Sequence, residues 1–481
     1  METLQRLQNR GSVSTGYDID NSLKLEADNS ENLYRNLNAS TSTTTFTHSM
    51  WVKRTELTNA QLLYMRGVAG NESVLLRFSG ESGYEHGLQV DIGASSTNAR
   101  SVTTRKFRDT SAWYHIVLAV DTTQSTAANR RRLYVNGVEE TVFGMSNLPS
   151  QNFAMEVSSA KHRYGAYNDT DNYAPFSGYI AECHYVDGSQ LDASSFGEFD
   201  NDSGIWKPKE YTGSYGTGGY YLHFSDGSDL GANPKGDDLN FTLRNISSAD
   251  QATDSPTNNF CTMNSIFKTN DNIVVSEGQT KVTCGSGTGW LSNVGTVALT
   301  KGKWYWELAS VTSVYIIFGI ADASDDKIPQ AVGGYYVGYG SNDTTLSVGM
   351  YMINGTFYGN QDGGSGVGIA SGAVGDVFGV CLDLDNLGFY IIRNGVSPTG
   401  SDPSSGSSLT GAATWNDSIY SGYYYPAMSV FQNNGLETNF GGYTSNPIAS
   451  AASDENGYGN FEYAPPSGYY AICTKNIQEY G

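Results

Sequence analysis

The stretch that decides the fold is GDVFGVCLDLDNLGFYIIRNGV, residues 375–396. It predicts a β-hairpin, because two apolar runs, Val377 to Leu382 and Phe389 to Ile392, flank a polar turn. The stretch closes on Asn394-Gly395, and Asn-Gly is a strong signal for a type I′ turn, in which both central residues need a positive φ. We therefore predict a buried hairpin that ends in a tight turn.

A weaker form of the same pattern occurs earlier, in WYHIVLAVDTTQSTAANRRRLYVNGV, residues 113–138. An apolar strand again leads into a polar turn, a second strand follows at Leu133 to Val135, and Asn136-Gly137 ends it. The two patterns lie about 260 residues apart, which predicts two β-domains in tandem, each with its own central hairpin.

The composition favours an all-β fold class. The chain has 481 residues, which is too many for one hydrophobic core. It holds 56 glycines and 33 tyrosines but only 16% charged residues, and short runs of Val, Ile, Thr, Phe and Tyr alternate with turn-forming clusters. The sequence lacks long amphipathic patterns with helical spacing. We predict an all-β protein of two tandem β-sandwiches.

Charge and cysteine content limit the expected partners. The 28 basic and 49 acidic residues give a formal net charge of −21, which repels phosphate backbones and anionic membranes, so we expect no nucleic acid partner. The five cysteines are widely spaced and form no Cys-x-x-Cys, so they indicate neither a disulfide framework nor a thiolate metal site. The sequence shows neither the apolar core of a signal peptide nor a long apolar run, so we expect no cleaved secretion signal and no membrane insertion.

The first part of the chain resembles a known fold. Residues 17–200 contain, in order, FTHSMWVKR, WYHIVLAVD, RRLYVNGVEE and FSGYIAECHYVDG. This order resembles the laminin-G-like or concanavalin A-like jelly roll. The resemblance implies a β-sandwich whose ligand and calcium sites lie in loops at one end.

The second part resembles another fold. Residues 201–264 are rich in Gly, Asp, Asn, Ser and Pro, and we predict a connector with short strands of its own. Residues 265–445 then show GKWYWEL, YIIFGIAD, the hairpin at Gly375 and a closing YYYPAMSV through LETNFGG, which together resemble the SPRY domain. We predict that residues 446–481 form a C-terminal tail packed on this sandwich.

The tandem order of the two domains resembles virion proteins of marine tailed bacteriophages. The resemblance implies a non-enzymatic tail fibre or surface appendage that is located in the virion, is assembled in the host cytoplasm and binds host-surface carbohydrate for attachment. It also implies other virion proteins as partners and a homo-oligomer, with a trimer favoured. Residues 1–16 carry only a meagre apolar stripe. They are either an N-terminal attachment segment or a frayed terminus.

Two other classes of function stay open. A purely architectural capsid-decoration or tail protein would need no ligand. A glycan hydrolase on a concanavalin-like fold would need two carboxylates that flank the scissile bond. The nearest pair is Asp383 and Asp385, which would lie about 6.5 Å apart on a strand. Because turn hydrogen bonding alone explains both aspartates, we predict no catalytic residues and no enzymatic activity.

Other residues with chemical potential also have structural explanations. Glu307 stands alone in an apolar strand, and we predict that it is a structural hydrogen-bond partner. His115 lies in another apolar strand, and we predict a satisfied structural imidazole. The six histidines are scattered and include neither a His-x-x-x-His metal pair nor a partner for a Gly-x-Ser-x-Gly nucleophile.

Two loops are candidate binding sites. The first, RYGAYNDTDNYAPF, spans residues 163–176 and combines tyrosines that could stack on sugar rings with oxygens that could hold sugar hydroxyls or calcium. An ordinary solvated loop is the alternative. The candidate ligand-binding residues are Tyr164, Tyr167, Asn168, Asp171 and Tyr173, and the candidate calcium ligands are Asp169 and Asp171.

The second candidate loop is ADASDDKIPQAVGGYYV, residues 321–337. It places Asp325 near Tyr335 and Tyr336. The resemblance to SPRY domains, which bind through such inter-strand loops, makes these three residues candidates for ligand binding. Apart from calcium, we expect no cofactor.

Overall fold

The computed structural model describes residues 16–481 with several gaps. The residues left out within this range are 38, 59, 69–70, 94–98, 157–159, 168–173, 236–238, 287–288, 326, 329–334, 339–345, 360–366 and 416–419. The described residues divide into two compact units. The first unit extends to Thr257, and the second extends from Asn258 to Gly481.

The first unit is built almost entirely of β-strands. Its strands are β1 Ser22–Leu25, β2 Asn32–Asn36, β3 Thr45–Arg54, β4 Gln61–Val68, β5 Asn71–Phe78, β6 Leu88–Ile92, β7 Ala99–Thr103, β8 Trp113–Asp121, β9 Arg131–Val135, β10 Val138–Glu139, β11 Phe143–Ser146, β12 Lys161–Tyr164, β13 Gly178–Asp187, β14 Gly197–Phe199, β15 Trp206–Pro208, β16 Tyr220–Leu222, β17 Thr242–Arg244 and β18 Gln251–Ala252. Short 3-10 helices span Ala127–Arg130, Ala193–Ser195 and Ser248–Asp250.

Two antiparallel sheets face each other in the first unit. Sheet A has the strand order β10-β9-β8-β3-β13-β1-β18, with β16 also paired to β13, and sheet B has the order β11-β7-β6-β5-β4-β12-β2-β17. Alternate side chains of both sheets meet in one apolar core, which includes Leu118 of sheet A and Leu76 of sheet B. The first unit is therefore a β-sandwich.

Part of the predicted connector contributes strands to this sandwich. Strands β16 and β18 pair with sheet A, and β17 pairs with sheet B. Two buried ion pairs hold the segment: Lys53 Nζ lies 2.7 Å from Asp254 Oδ2, and Lys24 Nζ lies 2.8 Å from Asp250 Oδ1. Trp113 Nε1 also donates to Asp254 Oδ1 at 2.9 Å. Buried charges need such partners, so this part of the chain has a defined place on the first unit.

The second unit is also built of strands. They are β19 Met263–Lys268, β20 Ile273–Ser276, β21 Lys281–Cys284, β22 Trp290–Gly295, β23 Lys303–Ser310, β24 Ile316–Asp322, β25 Ser347–Tyr351, β26 Thr356–Gly359, β27 Val377–Asp383, β28 Gly388–Arg393, β29 Ala413–Thr414, β30 Tyr424–Phe431, β31 Gly435–Asn439 and β32 Tyr470–Ala471. A 3-10 segment spans Pro403–Ser408, and the α-helix α1 spans Thr474–Tyr480. Within the described ranges, no helix is long and apolar enough to cross a membrane.

Two sheets again enclose a core in the second unit. Sheet C has the order β19-β22-β30-β24-β25-β26, and sheet D has the order β20-β21-β31-β23-β27-β28-β29. Strand β32 adds to sheet D by pairing in parallel with β23. Phe318 of sheet C and Phe378 of sheet D lie in the shared core with their ring centroids 5.6 Å apart. The predicted all-β fold class with two β-sandwiches is confirmed.

The hairpin predicted from residues 375–396 is present. Strands β27 and β28 pair antiparallel, and Asp383 pairs with Gly388 across the turn. Asn394 (φ 49°) and Gly395 (φ 75°) both have the positive φ that a type I′ turn requires. The tight turn predicted from the Asn-Gly pair is confirmed.

The two Asn-Gly turns use their asparagine side chains in the same way. Asn394 Oδ1 accepts a hydrogen bond from Val377 N at 2.9 Å, and Asn394 N donates to Val377 O at 2.8 Å. Asn136 repeats this arrangement with His115, at 2.8 and 2.9 Å. In both turns the side-chain amide oxygen thus supplies the acceptor for a backbone N–H group of the neighbouring strand. This explains why asparagine suits the first position of both turns.

The aspartates considered as a catalytic pair form structural bonds. Asp383 is buried, its Oδ2 lies 2.9 Å from Lys303 Nζ, and its Oδ1 accepts from Asn386 N at 3.1 Å. Asp385 Oδ1 accepts from Gly302 N at 2.8 Å. Turn formation and the ion pair account for both carboxylates.

Glu307 and His115 have the structural roles that the sequence predicts. Glu307 is buried on β23 and accepts hydrogen bonds from the backbone nitrogens of Glu462 and Tyr463, both at 2.8 Å. His115 Nε2 lies 2.8 Å from Ser49 Oγ, and His115 Nδ1 accepts from Trp206 Nε1 at 3.0 Å. Both side chains are satisfied by protein groups.

The cysteines behave as buried apolar residues. All five are free and buried, namely Cys183, Cys261, Cys284, Cys381 and Cys473. Burial raises the pKa of Cys473 to about 12 and the pKa of Cys183 well above its ordinary value. These thiols therefore stay protonated at neutral pH and are poor nucleophiles.

Candidate binding surface

A row of aromatic side chains lies on the outer side of sheet C, at one end of its strands. Successive side chains of a strand point to opposite sides of the sheet, so residues that alternate with core residues lie on this outer side. We call the row the aromatic face. Its members are Trp290, Tyr315, Tyr336, Tyr351, Tyr358 and Phe431.

Trp290 is at the centre of the aromatic face. Its ring centroid lies 5.3 Å from that of Phe431, 5.7 Å from that of Tyr351 and 5.2 Å from that of Tyr336. Phe431 in turn lies 6.1 Å from Tyr315. These are normal spacings for aromatic pairs, so the rings form a continuous surface.

Tyr358 extends the aromatic face on the side of β26. Its ring lies 6.1 Å from that of Tyr351 and 6.3 Å from that of Tyr336. The rings are half-buried, apart from that of Tyr315, which is exposed. Burial raises the pKa of Tyr351, so its hydroxyl stays protonated and can donate a hydrogen bond at neutral pH.

The segment Tyr335 to Gly338, which we call the strap, lies on the outer side of sheet C and positions Tyr336. Three serines of the sheet hold it. Ser292 Oγ donates to Tyr335 O at 3.4 Å, and Ser429 Oγ accepts from Val337 N at 2.9 Å. Ser347 Oγ accepts from Gly338 N at 2.7 Å. These bonds satisfy backbone groups of the strap that would otherwise be buried without partners.

Small residues in sheet C allow the strap to approach closely. A Cβ atom on Gly349 would lie 2.8 Å from Val337 Cγ1 and 3.0 Å from Phe318 O. Val337 is fully buried and packs with Ile317 and Ala427 on this side of the sheet. The lack of a side chain at Gly349 and the burial of Val337 thus set the distance between the strap and sheet C.

Asp325, which the sequence predicts as a binding residue, shapes the loop before the strap. Its Oδ1 accepts from the backbone nitrogens of Lys327 at 2.8 Å and Ile328 at 3.0 Å, and its Oδ2 accepts from Leu346 N at 2.7 Å. Lys327 Nζ lies 5.9 Å from the ring centroid of Tyr335, within range of a cation-π contact. Asp325 therefore fixes the backbone at Lys327 and Ile328 and joins it to Leu346.

The first candidate loop begins later than the sequence suggests. Tyr164 is the last residue of β12, and its ring is fully buried between the sheets of the first unit. Its hydroxyl lies 2.8 Å from both His48 Nε2 and Tyr220 OH. The placement of Tyr164 in a surface loop is corrected, because its ring completes the core and presents no face to a ligand.

Of the other predicted site residues of this loop, Tyr167 is the one that the structure describes. Tyr167 is half-buried and packs against Leu62, Met65 and Leu75 on the outer side of sheet B. Asn168, Asp169, Asp171 and Tyr173 lie outside the described residues. Their roles in ligand and calcium binding stay predictions. Among the residues that the structure describes, no group of three or more His, Cys, Asp or Glu side chains is arranged to hold a metal ion.

Sequence reasoning identified Tyr336 but missed the other members of the aromatic face. A signal for them exists in three strands, WLSNVG, SVGMY and YYPAMSVF. In SVGMY and in the second half of YYPAMSVF, core residues alternate with Ser, Gly or Ala, and in all three strands an aromatic residue occupies the outer position at one end. Small outer residues indicate that another segment lies close to the sheet. The sequence does not show which distant segment that is.

A comparison with protein-family models finds one similarity. Residues 27–193 match the concanavalin A-like lectin/glucanases superfamily. The match covers less than half of the chain and shows a concanavalin A-like domain in the first unit. No curated protein sequence matches the chain.

Solved structures show distant similarities. The SPRY domain of human HERC1 is 14% identical over 37% of this chain and 96% of that domain, with a TM-score of 0.27. The heptameric SAP-like pentraxin of Limulus polyphemus is 13% identical over 48% of this chain and 95% of its own, with a TM-score of 0.31. A candidate carbohydrate-binding protein of Bacteroides ovatus is 16% identical over 48% of this chain and 60% of its own, with a TM-score of 0.33. These values are too low for the similarities to bear on function.

Proposed function

We propose that the chain binds a carbohydrate through the aromatic face of the second unit. The observation that carries this proposal is the continuous row of partly exposed rings around Trp290. The apolar faces of a pyranose can pack on such rings, and the hydroxyls of Tyr336, Tyr351 and Tyr358 can bond its polar edge. The net charge of −21 favours a neutral glycan over an anionic polymer.

The setting that we propose is the surface of a bacteriophage particle. The order of the two β-domains in the sequence supports this setting, with a host-surface glycan as the ligand and other virion proteins as partners. Immunogold labelling of phage particles purified from an infected host, with an antibody raised against the chain, tests it. Labelling on tails or other appendages is the expected result. Unlabelled particles would contradict the virion setting but would not bear on carbohydrate binding, which is tested separately.

A glycan array probed with the full chain, followed by titration with the strongest ligand, tests binding. Tyr336→Ala and Tyr315→Ala should each weaken the affinity about fivefold, since one aromatic contact contributes roughly 1 kcal/mol. Tyr315 is 44% exposed, so its removal leaves the core intact.

Tyr423→Ala is the matched control for the two tyrosine variants. Tyr423 is 43% exposed, lies in the same unit and is not part of the aromatic face. Its removal should leave the affinity unchanged. Equal weakening in all three variants, or no glycan bound by the unmodified chain, would contradict the proposal.

We further propose that binding occurs without cleavage. Incubation of the chain with a bound polysaccharide should release no reducing ends, since Asp383 and Asp385 form structural bonds in the hairpin. Release of reducing ends that Asp383→Asn or Asp385→Asn abolishes in a folded protein would instead support a glycan hydrolase.

A further inference from the structure

The first unit carries a cleft that none of the sequence patterns indicates. It lies between the Asn136-Gly137 turn and the β14–β15 hairpin and has a volume of about 360 Å³. This volume is at the lower end of the range of small-molecule sites, roughly 300–1,000 Å³. The lining residues are Tyr134, Gly137, Asp192, Ala193, Ser194, Gly197, Glu198, Phe199, Trp206 and Lys209.

Trp206 forms a fixed aromatic wall of the cleft. Its Nε1 donates to His115 Nδ1 at 3.0 Å, and its ring stacks on His115 at a centroid distance of 5.9 Å. His115 stacks in turn on Trp51 at 4.8 Å. The hydrogen bond and the stack of three rings hold the indole in one orientation before any ligand arrives.

Two glycines make room for this indole. A Cβ atom on Gly137 would lie 2.2 Å from Trp206 Cε3, and a Cβ atom on Gly197 would lie 2.4 Å from Trp206 Cζ2. Real side chains never approach so closely, so any larger residue at either position would displace the ring. The absence of both side chains lets the indole sit deep enough to form a wall.

Phe199 supplies a second ring at the mouth of the cleft. It is 49% exposed, which is unusual for a phenylalanine, and its ring stands at 70° to that of Trp206 with the centroids 4.9 Å apart. Two rings at this angle form an apolar corner. Such a corner can contact a flat apolar surface and one of its edges at the same time.

The rim of the cleft is polar. The bonds of Asp192 to the backbone and hydroxyl of Ser194 use only its Oδ1 atom. Glu198 has a half-exposed side chain whose Oε1 lies 3.4 Å from Lys207 Nζ. Lys209 Nζ donates to Ser194 O at 3.2 Å. The rim thus offers two carboxylates, Asp192 and Glu198, that can accept hydrogen bonds from hydroxyl groups. Lys209 is the ammonium group within the lining, and Lys207 pairs with Glu198 from outside it.

We infer that this cleft binds one hexopyranose residue of a neutral glycan. The C–H face of the sugar packs into the corner of Phe199 and Trp206, and its hydroxyls donate to Asp192 and Glu198. The charged side chains of the lining are two carboxylates and one ammonium group, so an anionic ligand such as a uronic acid or a phosphate ester meets a net negative charge and is disfavoured. The site belongs to the first unit and does not depend on the aromatic face of the second.

Fluorine NMR of the full chain labelled with 5-fluorotryptophan tests the inference. The Trp206 signal is assigned by its disappearance in Trp206→Phe. Methyl α-glucoside, methyl α-mannoside and N-acetylglucosamine serve as neutral probes, and glucuronate serves as the anionic probe. The expected result is a saturable shift of the Trp206 signal with at least one neutral sugar at millimolar concentration and none with glucuronate.

Two variants identify the residues that carry this binding. Phe199→Ala should weaken it about tenfold, because the half-exposed ring contributes contact to the ligand and little to the core. Tyr423→Ala, which removes a similarly exposed ring from the second unit and lies outside the aromatic face, should leave the Trp206 titration unchanged. A Trp206 signal that no sugar moves overturns the inference, as does an unchanged titration in Phe199→Ala. A shift of the Trp290 signal alone would overturn it while supporting the aromatic face.

Discussion

Gly395 illustrates how one residue can be required for two separate reasons. Its φ is 75°, which costs an L-residue roughly 1–2 kcal/mol, and a Cβ atom there would lie 2.6 Å from Tyr463 Cδ1. We predict that Gly395→Ala destabilises the second unit by more than 2 kcal/mol, on the order of this strain plus the displacement of the tyrosine. Urea unfolding monitored by hydrogen exchange of second-unit peptides measures the loss.

The variant Gly375→Ala separates the backbone strain from the steric contact. Its φ is 89°, yet nothing lies within 4 Å of a Cβ atom built on it. Gly375→Ala should therefore show the backbone strain alone, about 1 kcal/mol. Equal losses in the two variants would show that the contact with Tyr463 contributes nothing.

Buried histidines make the first unit sensitive to acid. Burial lowers the pKa of His48 and of His115 from 6.5 to about 3. The unfolded chain takes up protons below pH 6.5 that these folded imidazoles exclude, so the stability is complete above pH 6.5 and falls as the pH decreases. Each histidine should contribute a slope of up to about 1.4 kcal/mol per pH unit.

The variant His48→Gln isolates one of these contributions. Burial raises the pKa of Glu31 to about 7. By itself this shift stabilises the folded state at lower pH, which is opposite to the effect of the histidines. The pH dependence of the unmodified chain therefore combines both contributions. The slope of stability against pH between 6.5 and 5 should decrease in His48→Gln by about 1 kcal/mol per pH unit. Hydrogen exchange of first-unit peptides measures it, and parallel slopes in the two proteins would contradict the prediction.

At the scale of elements, Glu307 joins the C-terminal segment to sheet D. Its two carboxylate oxygens accept from Glu462 N and Tyr463 N, and Asn439 Nδ2 donates to it at 3.2 Å. Burial raises the pKa of Glu307, while the hydrogen bonds act in the opposite direction. The carboxylate thus accepts the two backbone hydrogen bonds that the carbonyl groups of a neighbouring strand would otherwise accept.

We predict that Glu307→Gln loosens this segment. The amide retains one acceptor oxygen but presents an N–H group to a backbone N–H group, which leaves a buried donor unsatisfied at a cost of about 1–3 kcal/mol. Hydrogen exchange should increase in residues 446–470 more than in the strands of sheet C. Glu437→Gln, on the neighbouring strand β31, serves as the control, and a uniform increase across the unit would contradict a local role.

The elements that the sequence predicts best are those formed by residues close together in the chain. The hairpin at residues 375–396 and both Asn-Gly turns are decided by local turn chemistry and alternation. The aromatic face is different, because Trp290 meets Tyr336, Tyr351 and Phe431 only after three strands of sheet C align and the strap packs on them. Composition alone also misplaced Tyr164, since its burial depends on His48 and Tyr220 from distant strands.

At the scale of the whole molecule, Tyr17 is the first residue after the predicted attachment segment, residues 1–16, and it is bonded into the fold. Its hydroxyl donates to Glu182 Oε2 at 2.7 Å and lies 3.2 Å from Tyr221 OH. Glu182 is buried, has a φ of 48° and lies at an irregularity in the pairing of β13 with β3. This anchor belongs to the first unit, so removing residues 1–16 leaves its bonds in place.

We predict that removal of residues 1–16 abolishes self-association while both units stay folded. An isolated module binds a sugar weakly, and several linked copies gain avidity without new contacts. The truncated chain should therefore keep its affinity for a soluble monovalent glycan but lose about a hundredfold in binding to a glycan-coated surface. Analytical ultracentrifugation reports the oligomeric state, and Tyr17→Phe, which retains residues 1–16 but lacks the bond to Glu182, is the control. A truncated chain that still self-associates, or that is incorporated normally into particles, would show that attachment resides elsewhere in the chain.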